Sequence, residues 1–168
     1  MGTQPAPTPR RPLESYVAAV EELVGQIIRH GGFALSIAVR NEESAEAPGS
    51  PTHVVDFSGT DRDLLLERNG ALLDALETVV LKAVRLDEDH FGRITFDCAG
   101  WRRMRVEELK LMARVAAERV IETGDPFPLN PMSARERRIV HLALKDLPQV
   151  RTQSDGYGPE RKVVILRS

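Results

Sequence analysis

Pro131-Met132-Ser133-Ala134-Arg135-Glu136-Arg137-Arg138-Ile139-Val140-His141, with Thr152-Gln153-Ser154-Asp155-Gly156 and Arg161-Lys162-Val163-Val164-Ile165 after it, is the stretch from which this chain is best read. Ser133 with Glu136 three residues on is a capping-box pattern, so a helix begins there. Ile139, Val140, Ala143 and Leu144 share one arc of that helix and face a core. Arg137, Arg138, His141 and Lys145 fall on the other arc, with Arg137 and His141 four residues apart and therefore one above the other. Two strands, about 150–154 and 162–167, close around a Gly-Tyr-Gly-Pro turn. A basic pair on a helix, beside a polar turn and a strand with its own cations, suits the gripping of a phosphate backbone.

Working outward, a long helix over 102–122 precedes this stretch, with Leu109, Met112, Ala113, Ala116 and Val120 as its apolar face and Gly124, Pro126 and Pro128 as its stop. Before it, helical spacing runs from Leu13 to Arg29 and ends at Gly31-Gly32. Residues 33–39 alternate as a half-buried strand does, 41–51 read as a solvated loop, and 53–57 form a second strand pairing with the first as a hairpin. Leu64 to Leu66 is a short apolar piece ended by Glu67-Arg68-Asn69-Gly70. Leu72, Leu73, Leu76, Val79, Val80, Ala83 and Val84 then mark the face of another helix, and 93–98 is a third strand. The first half is thus α-β-β-α-α-β, a three-stranded sheet with helices on one face.

Composition narrows the function classes. With one cysteine, Cys98, there is no internal disulfide framework, and a reducing compartment is expected. No apolar run reaches the length of a membrane span, and residues 1–12 are Pro-rich, expected to be disordered and unlike a signal peptide. A cytoplasmic protein with no membrane partner is the expectation. The net charge of −2 hides an asymmetry: residues 100–168 carry 14 Lys and Arg against 9 Asp and Glu, while residues 1–99 carry 9 against 16. Only the C-terminal half has the charge for nucleic acid. No nucleophile–base constellation, Walker loop or zinc spacing is present, so no enzyme activity, cofactor or metal is expected. Asp87-Glu88-Asp89-His90 reads as a solvated loop rather than a metal site, and Cys98 as a small buried hydrophobe.

These residues resemble the Jag family of bacterial proteins, in which a KH domain precedes a domain named for an Arg and a His separated by three residues. The resemblance rests on Phe96-Asp97, Trp101-Arg102, Arg105, Leu129, Pro131-Met132, Glu136-Arg137-Arg138, Val140-His141, Thr152, Ser154, Gly156, Arg161 and Val163-Val164-Ile165, with Leu73-Asp74-Ala75-Leu76 after the KH loop. It covers residues 13–168 and implies an α/β (α+β) fold: a disordered tail over 1–12, a type II KH-like domain over 13–99, and the Arg-x-x-x-His domain over 100–168. The further N-terminal domain of many Jag proteins is expected to be missing. The family implies a non-enzymatic module that binds single-stranded RNA. Single-stranded DNA is an open alternative, since phosphate contacts do not read the 2′-hydroxyl. It also implies pairing of the KH unit with itself or with a small KH protein.

Two departures bear on the site. The family's Gly-x-x-Gly loop lets backbone approach four nucleotides closely; here it reads Glu67-Arg68-Asn69-Gly70, with a carboxylate at the first glycine position. Arg68 and the helix start after Gly70 attract anions, and Glu67 opposes them. Trp101 stands where the family has tyrosine, and packing is favoured over base stacking for it. The expected contacts are Arg137 to phosphate and His141 by hydrogen bond or stacking, with Arg138, Lys145, Arg161 and Lys162 widening the basic patch. Thr152 and Ser154 either donate to phosphate or sugar, or shape the polar turn. The rival function is a protein-interaction adaptor whose KH-like half is the working surface.

Overall fold

The computed structural model describes residues 11–42 and 51–168. The chain is an α+β protein that divides into two compact units, Met1–Trp101 and Arg102–Ser168. From the sequence the boundary is expected between 99 and 100. Most of the Pro-rich stretch 1–12, and the loop expected over 41–51 except for its ends, lie outside the described residues.

The first unit opens with α1, Leu13–Gly31, which buries Tyr16, Val20 and Val24 at helical spacing. Gly32 takes the left-handed conformation (φ 68°) and closes the helix by donating its N–H to the carbonyl of Arg29. Strand β1, Leu35–Asn41, runs antiparallel to β2, His53–Gly59, and β2 runs parallel to β3, Ile94–Cys98. The sheet order is β1-β2-β3. Strand β1 starts two residues later than expected because Phe33 and Ala34 form the turn out of α1. Phe33 N–H donates to the Ile28 carbonyl and Ala34 N–H to Asp61 Oδ2.

Helix α2 spans Arg62–Ala83 but is broken at Glu67–Gly70, where the backbone leaves helical angles, so the expected order α-β-β-α-α-β is present. Leu65, Leu73 and Val80 of α2 close the core with Val55, Phe57, Ile94, Phe96 and Cys98 of the sheet. The sequence groups Leu72 and Val79 with that arc, yet they are 47% and 61% exposed. The buried residues advance Leu73, Val80, with Leu76 and Val84 partly covered, so Leu72 and Val79 sit about 100° off the seam. Edge groups of β3 are satisfied by α2: Glu77 Oε2 accepts from Phe96 N–H (2.7 Å) and from Thr95 Oγ1 (3.0 Å).

In the second unit, α3 runs from the boundary residue Trp101 to Thr123 and buries Leu109, Ala113, Ala116, Ala117 and Val120. Helix α4, Ala134–Leu144, follows, and β5 (Val150–Asp155) and β6 (Lys162–Arg167) pair antiparallel. A third strand not expected from the sequence, β4 (Phe127–Pro128), pairs with the other side of β6, giving the order β4-β6-β5. Val140 and Leu144 meet the α3 side chains over Val163 and Ile165, and this aliphatic cluster fixes how α4 lies on β5 and β6.

Candidate nucleic-acid interface

The start of α4 is pinned from two sides. Ser133 Oγ accepts from Glu136 N–H, and Glu136 Oε2 accepts from Ser133 N–H at 2.9 Å, a complete capping box. The other oxygen, Oε1, takes Arg105 Nε–H at 2.7 Å, while Arg105 Nη1 donates to Glu108 at 2.9 Å. The Arg105 and Glu136 side chains are only 11% and 12% exposed. Burial pulls the Arg105 pKa down, but its bonds to Glu108 and Glu136 outweigh that and hold it above its ordinary value. Arg137 and His141 therefore ride on a helix whose first turn is held to α3 by a charge-assisted pair.

Arg137 is half-buried, and its Nη1 donates to the Met132 carbonyl at 3.1 Å. A guanidinium has five N–H donors in a fixed fork, so this bond orients the group and leaves further donors for an anion. One turn on, the His141 imidazole lies between two hydroxyls of β5. Its Nδ1 is 2.6 Å from Thr152 Oγ1, and its Nε2 is 3.0 Å from Ser154 Oγ. Residues two apart on a strand share a face, so the ring spans both at once. Burial first, and then the positive charge of Arg137, push the His141 pKa below its ordinary value. The open choice for Thr152 and Ser154 thus takes a third form: both hydroxyls hold the imidazole.

The remaining cations divide. Arg138 is exposed one turn before His141, and Lys145 is exposed at the end of α4, 3.9 Å from Asp146. Arg161 is exposed just ahead of β6. Lys162 does not join them. The ladder sets Lys162 opposite Asp155 and Val163 opposite Ser154. Because Val163 is in the core under α4, Lys162 points to the other face of the sheet, as do Arg151 and Gln153. Lys162 thus stands apart from the α4 side of the sheet, where Arg137 and His141 lie. Tyr157, flanked by Gly156 and Gly158 at the hairpin tip, is 93% exposed, and the sequence reading passes over it. Its signal there is an aromatic between two glycines in a polar turn.

The loop of the first unit is a separate feature. Glu67 is extended (φ −54°, ψ 149°), a conformation open to any residue, whereas Arg68, Asn69 and Gly70 are all left-handed. The backbone therefore favours a glycine at 70 and asks for none at 67. Moreover, a Cβ on Gly70 would sit 2.6 Å from the Trp101 ring, which packs on the first core. Trp101 is thus a packing residue, and Arg68 and Asn69 are exposed on the loop.

A model of the Arg-x-x-x-His domain (written R-three-H in one-letter form) matches residues 107–167 of the chain. The chain is 30% identical over 165 residues to the RNA-binding protein KhpB of Clostridium symbiosum, covering 98% of this chain and 72% of that one. It is 33% identical over 111 residues to the RNA-binding protein KhpB of Bacillus subtilis, covering 65% of this chain and 53% of that one. To the protein of that name from Lactiplantibacillus plantarum it is 29% identical over 117 residues, spanning 70% of this chain and 36% of the relative. The chain thus spans about half of the Bacillus relative and about a third of the Lactiplantibacillus one. With the Arg-x-x-x-His match falling on the unit that carries Arg137 and His141, the chain belongs to the KhpB (Jag) family.

Proposed function

We propose that the chain binds single-stranded RNA through the α4–β5 face of its Arg-x-x-x-His domain, mainly by phosphate contacts. The observation that carries this reading is the convergence of Arg137, His141, Thr152 and Ser154 on one surface, with the arginine fork oriented by Met132 and the imidazole by two hydroxyls. Arg138, Lys145 and Arg161 extend the positive field around it, and Lys162 takes no part. The RNA-binding names of the relatives point the same way. Tyr157, exposed at the tip of the β5–β6 hairpin, offers a platform for one base. The first unit is a KH-like domain in this reading. Its loop meets RNA with the Glu67 carboxylate, which repels phosphate, so it positions the Arg-x-x-x-His domain or recruits a partner.

The test is anisotropy of a labelled single-stranded RNA of about 15 nucleotides, and its DNA counterpart, over a range of salt. The log–log salt slope is expected at about 0.7 per phosphate neutralised. Arg137→Ala should cost about ten-fold in affinity and lower the slope by roughly one contact. An unchanged affinity and slope would sink the reading.

A second reading, an adaptor working through the KH-like half, draws on one feature. Ile27, Ile28, Phe33, Leu35, Leu64 and Leu72 are among the residues lining a wholly apolar hollow of about 220 Å³, and Phe33, Leu64 and Leu72 are exposed. Such a surface suits a protein partner, including a second KH unit. Concentration-dependent dimerisation lost in Leu64→Asp, with RNA affinity untouched by Arg137→Ala, would favour the adaptor.

A further inference from the structure

Both nitrogens of His141 are engaged by hydroxyls, and this constrains the protons more tightly than it constrains the heavy atoms. A neutral imidazole carries one N–H and one bare nitrogen. One hydroxyl then accepts from the ring, and its own proton is free to point outward. The other must turn its O–H inward to the bare nitrogen, and it offers a ligand only lone pairs. A protonated imidazole donates from both nitrogens. Thr152 and Ser154 must then both accept, and both O–H groups turn away from the ring. A phosphate oxygen needs donors, so it meets two hydroxyl protons and a positive ring in one state, and a single proton beside a lone-pair oxygen in the other.

We infer that His141 is a positioning residue that sets the direction of the Thr152 and Ser154 hydroxyl protons, so that an RNA phosphate and a proton on the imidazole enter the site together. The inference rests on the RNA-binding reading above and adds the proton to it. The surroundings fit. Charged neighbours on α4 are Arg137, Arg138 and Lys145, all cations. On β5, Asp155 and Arg151 project to the opposite face, and β6 presents Val163 and Ile165 toward the helix. Glu136 is turned to Arg105. No carboxylate among the described residues of these elements is thus turned to the ring. In the free protein burial and Arg137 disfavour the charged ring. A phosphate seated on Arg137 offsets that charge and supplies the missing counterion, and the end of α4, close to His141, favours the cation as well. By reciprocity, what raises proton affinity when RNA binds must raise RNA affinity when the proton binds.

The full chain is titrated with a labelled oligouridylate of about 12 nucleotides at constant ionic strength, from about pH 8 to about pH 5.5. Uracil and the phosphodiester do not change charge in that window, so the profile reports the protein. Kd is expected to fall about ten-fold on acidification, with a steepest slope of about half a log unit per pH unit, the signature of one linked proton whose pKa rises by about one unit. His141→Gln keeps hydrogen bonds to the hydroxyls without titrating, and its profile should be nearly flat. Thr152→Val with Ser154→Ala retains the titrating ring and removes the relay, so affinity and slope should both drop. NMR of the imidazole should show its pKa rising by about one unit in the complex.

A flat wild-type profile, with Arg137→Ala still weakening binding, overturns the inference and leaves the RNA-binding site standing. A slope that survives His141→Gln assigns the proton elsewhere and also overturns it. A slope unchanged by the hydroxyl double variant reduces His141 to a plain charge and overturns the positioning role. Binding indifferent to Arg137→Ala at every pH removes the site itself.

Discussion

Glu136 holds the frame on which the interface is built, and removing it has a cost that can be worked from the geometry. Glu136→Ala deletes the carboxylate that accepts from Ser133 N–H at 2.9 Å and from Arg105 Nε at 2.7 Å. Loss of half the capping box, and of a negative charge in the first turn of α4, costs about 1 kcal/mol. Arg105 is then left 11% exposed with one of its two carboxylate partners gone. Breaking a well-buried pair costs about 3–5 kcal/mol, but Arg105 keeps Glu108, itself 64% exposed, so about 2 kcal/mol is the fitting share. The sum is about 3 kcal/mol. Glu136→Gln retains an acceptor oxygen for Ser133 N–H but turns an NH2 donor toward Arg105 Nε–H, so it loses that bond with the charge, for about 2 kcal/mol. Urea denaturation followed by circular dichroism measures both, and a double-mutant cycle with Arg105→Ala should return a coupling of about 1–2 kcal/mol. An alanine variant within about 0.5 kcal/mol of wild type, or a cycle that closes additively, would refute the claim that this pair anchors α4. Because α4 presents Arg137, RNA affinity measured well below the unfolding transition should also fall in the alanine variant, and less in the glutamine one.

Gly70→Ala forces a side chain into a left-handed residue and against the Trp101 ring, so about 2–4 kcal/mol of stability should be lost; Glu67→Gly, at an extended position, should cost under about 1 kcal/mol by the same denaturation assay. In anisotropy, Tyr157→Ala should weaken RNA binding about three- to ten-fold while Tyr157→Trp restores it, and no change in either variant removes the stacking platform. Lys162→Ala should leave RNA affinity within about two-fold at moderate salt, because its side chain lies on the far face of the sheet, and a loss equal to that of Arg137→Ala would contradict the ladder register. Since the His141 pKa is lowered in the fold, the unfolded chain takes up a proton first as pH falls through and below about 6.5, and stability must decline there. The expected result is a lower melting temperature of RNA-free protein at about pH 5.5 than at about pH 7.5 by a margin that His141→Gln reduces, opposite in sign to the pH effect on RNA affinity.

Much of the fold follows from periodicity because the two cores are aliphatic and their helices long. Tyr16, Val20, Leu23 and Val24, or Leu109, Ala113, Ala116 and Val120, mix spacings of three and four, which a helix satisfies and a strand does not. The misplacements occur where that signal is short or ambiguous. Strand β4 has two residues, Phe127 and Pro128, and a period cannot be read from two positions, the more so when flanking prolines also end helices. The seven apolar residues from Leu72 to Val84 span more of the helix surface than one sheet can cover. Which of them face inward is decided by the sheet, and Leu72 and Val79 are left out.

The same contrast between helix and strand governs the site. On α4 the capping box fixes where the helix begins, and from there the spacing of Arg137 and His141 places both on one surface without reference to anything distant. On β6 the sequence Val163-Val164-Ile165-Leu166 is apolar at every position, so alternation carries no parity and either face is open to Lys162. The pairing of Ser154 with Val163 settles the parity. It turns Thr152 and Ser154 toward α4 and Lys162 away from it in one stroke, since shifting register by one residue would exchange them. The hydroxyl–imidazole–hydroxyl arrangement is therefore a product of register. No motif spacing announces it, because the eleven residues from His141 to Thr152 and the thirteen to Ser154 become neighbours only when β5 lies under the last turn of α4. A helix motif thus places its cations on one surface, while the strand beneath it determines what chemistry stands beside them.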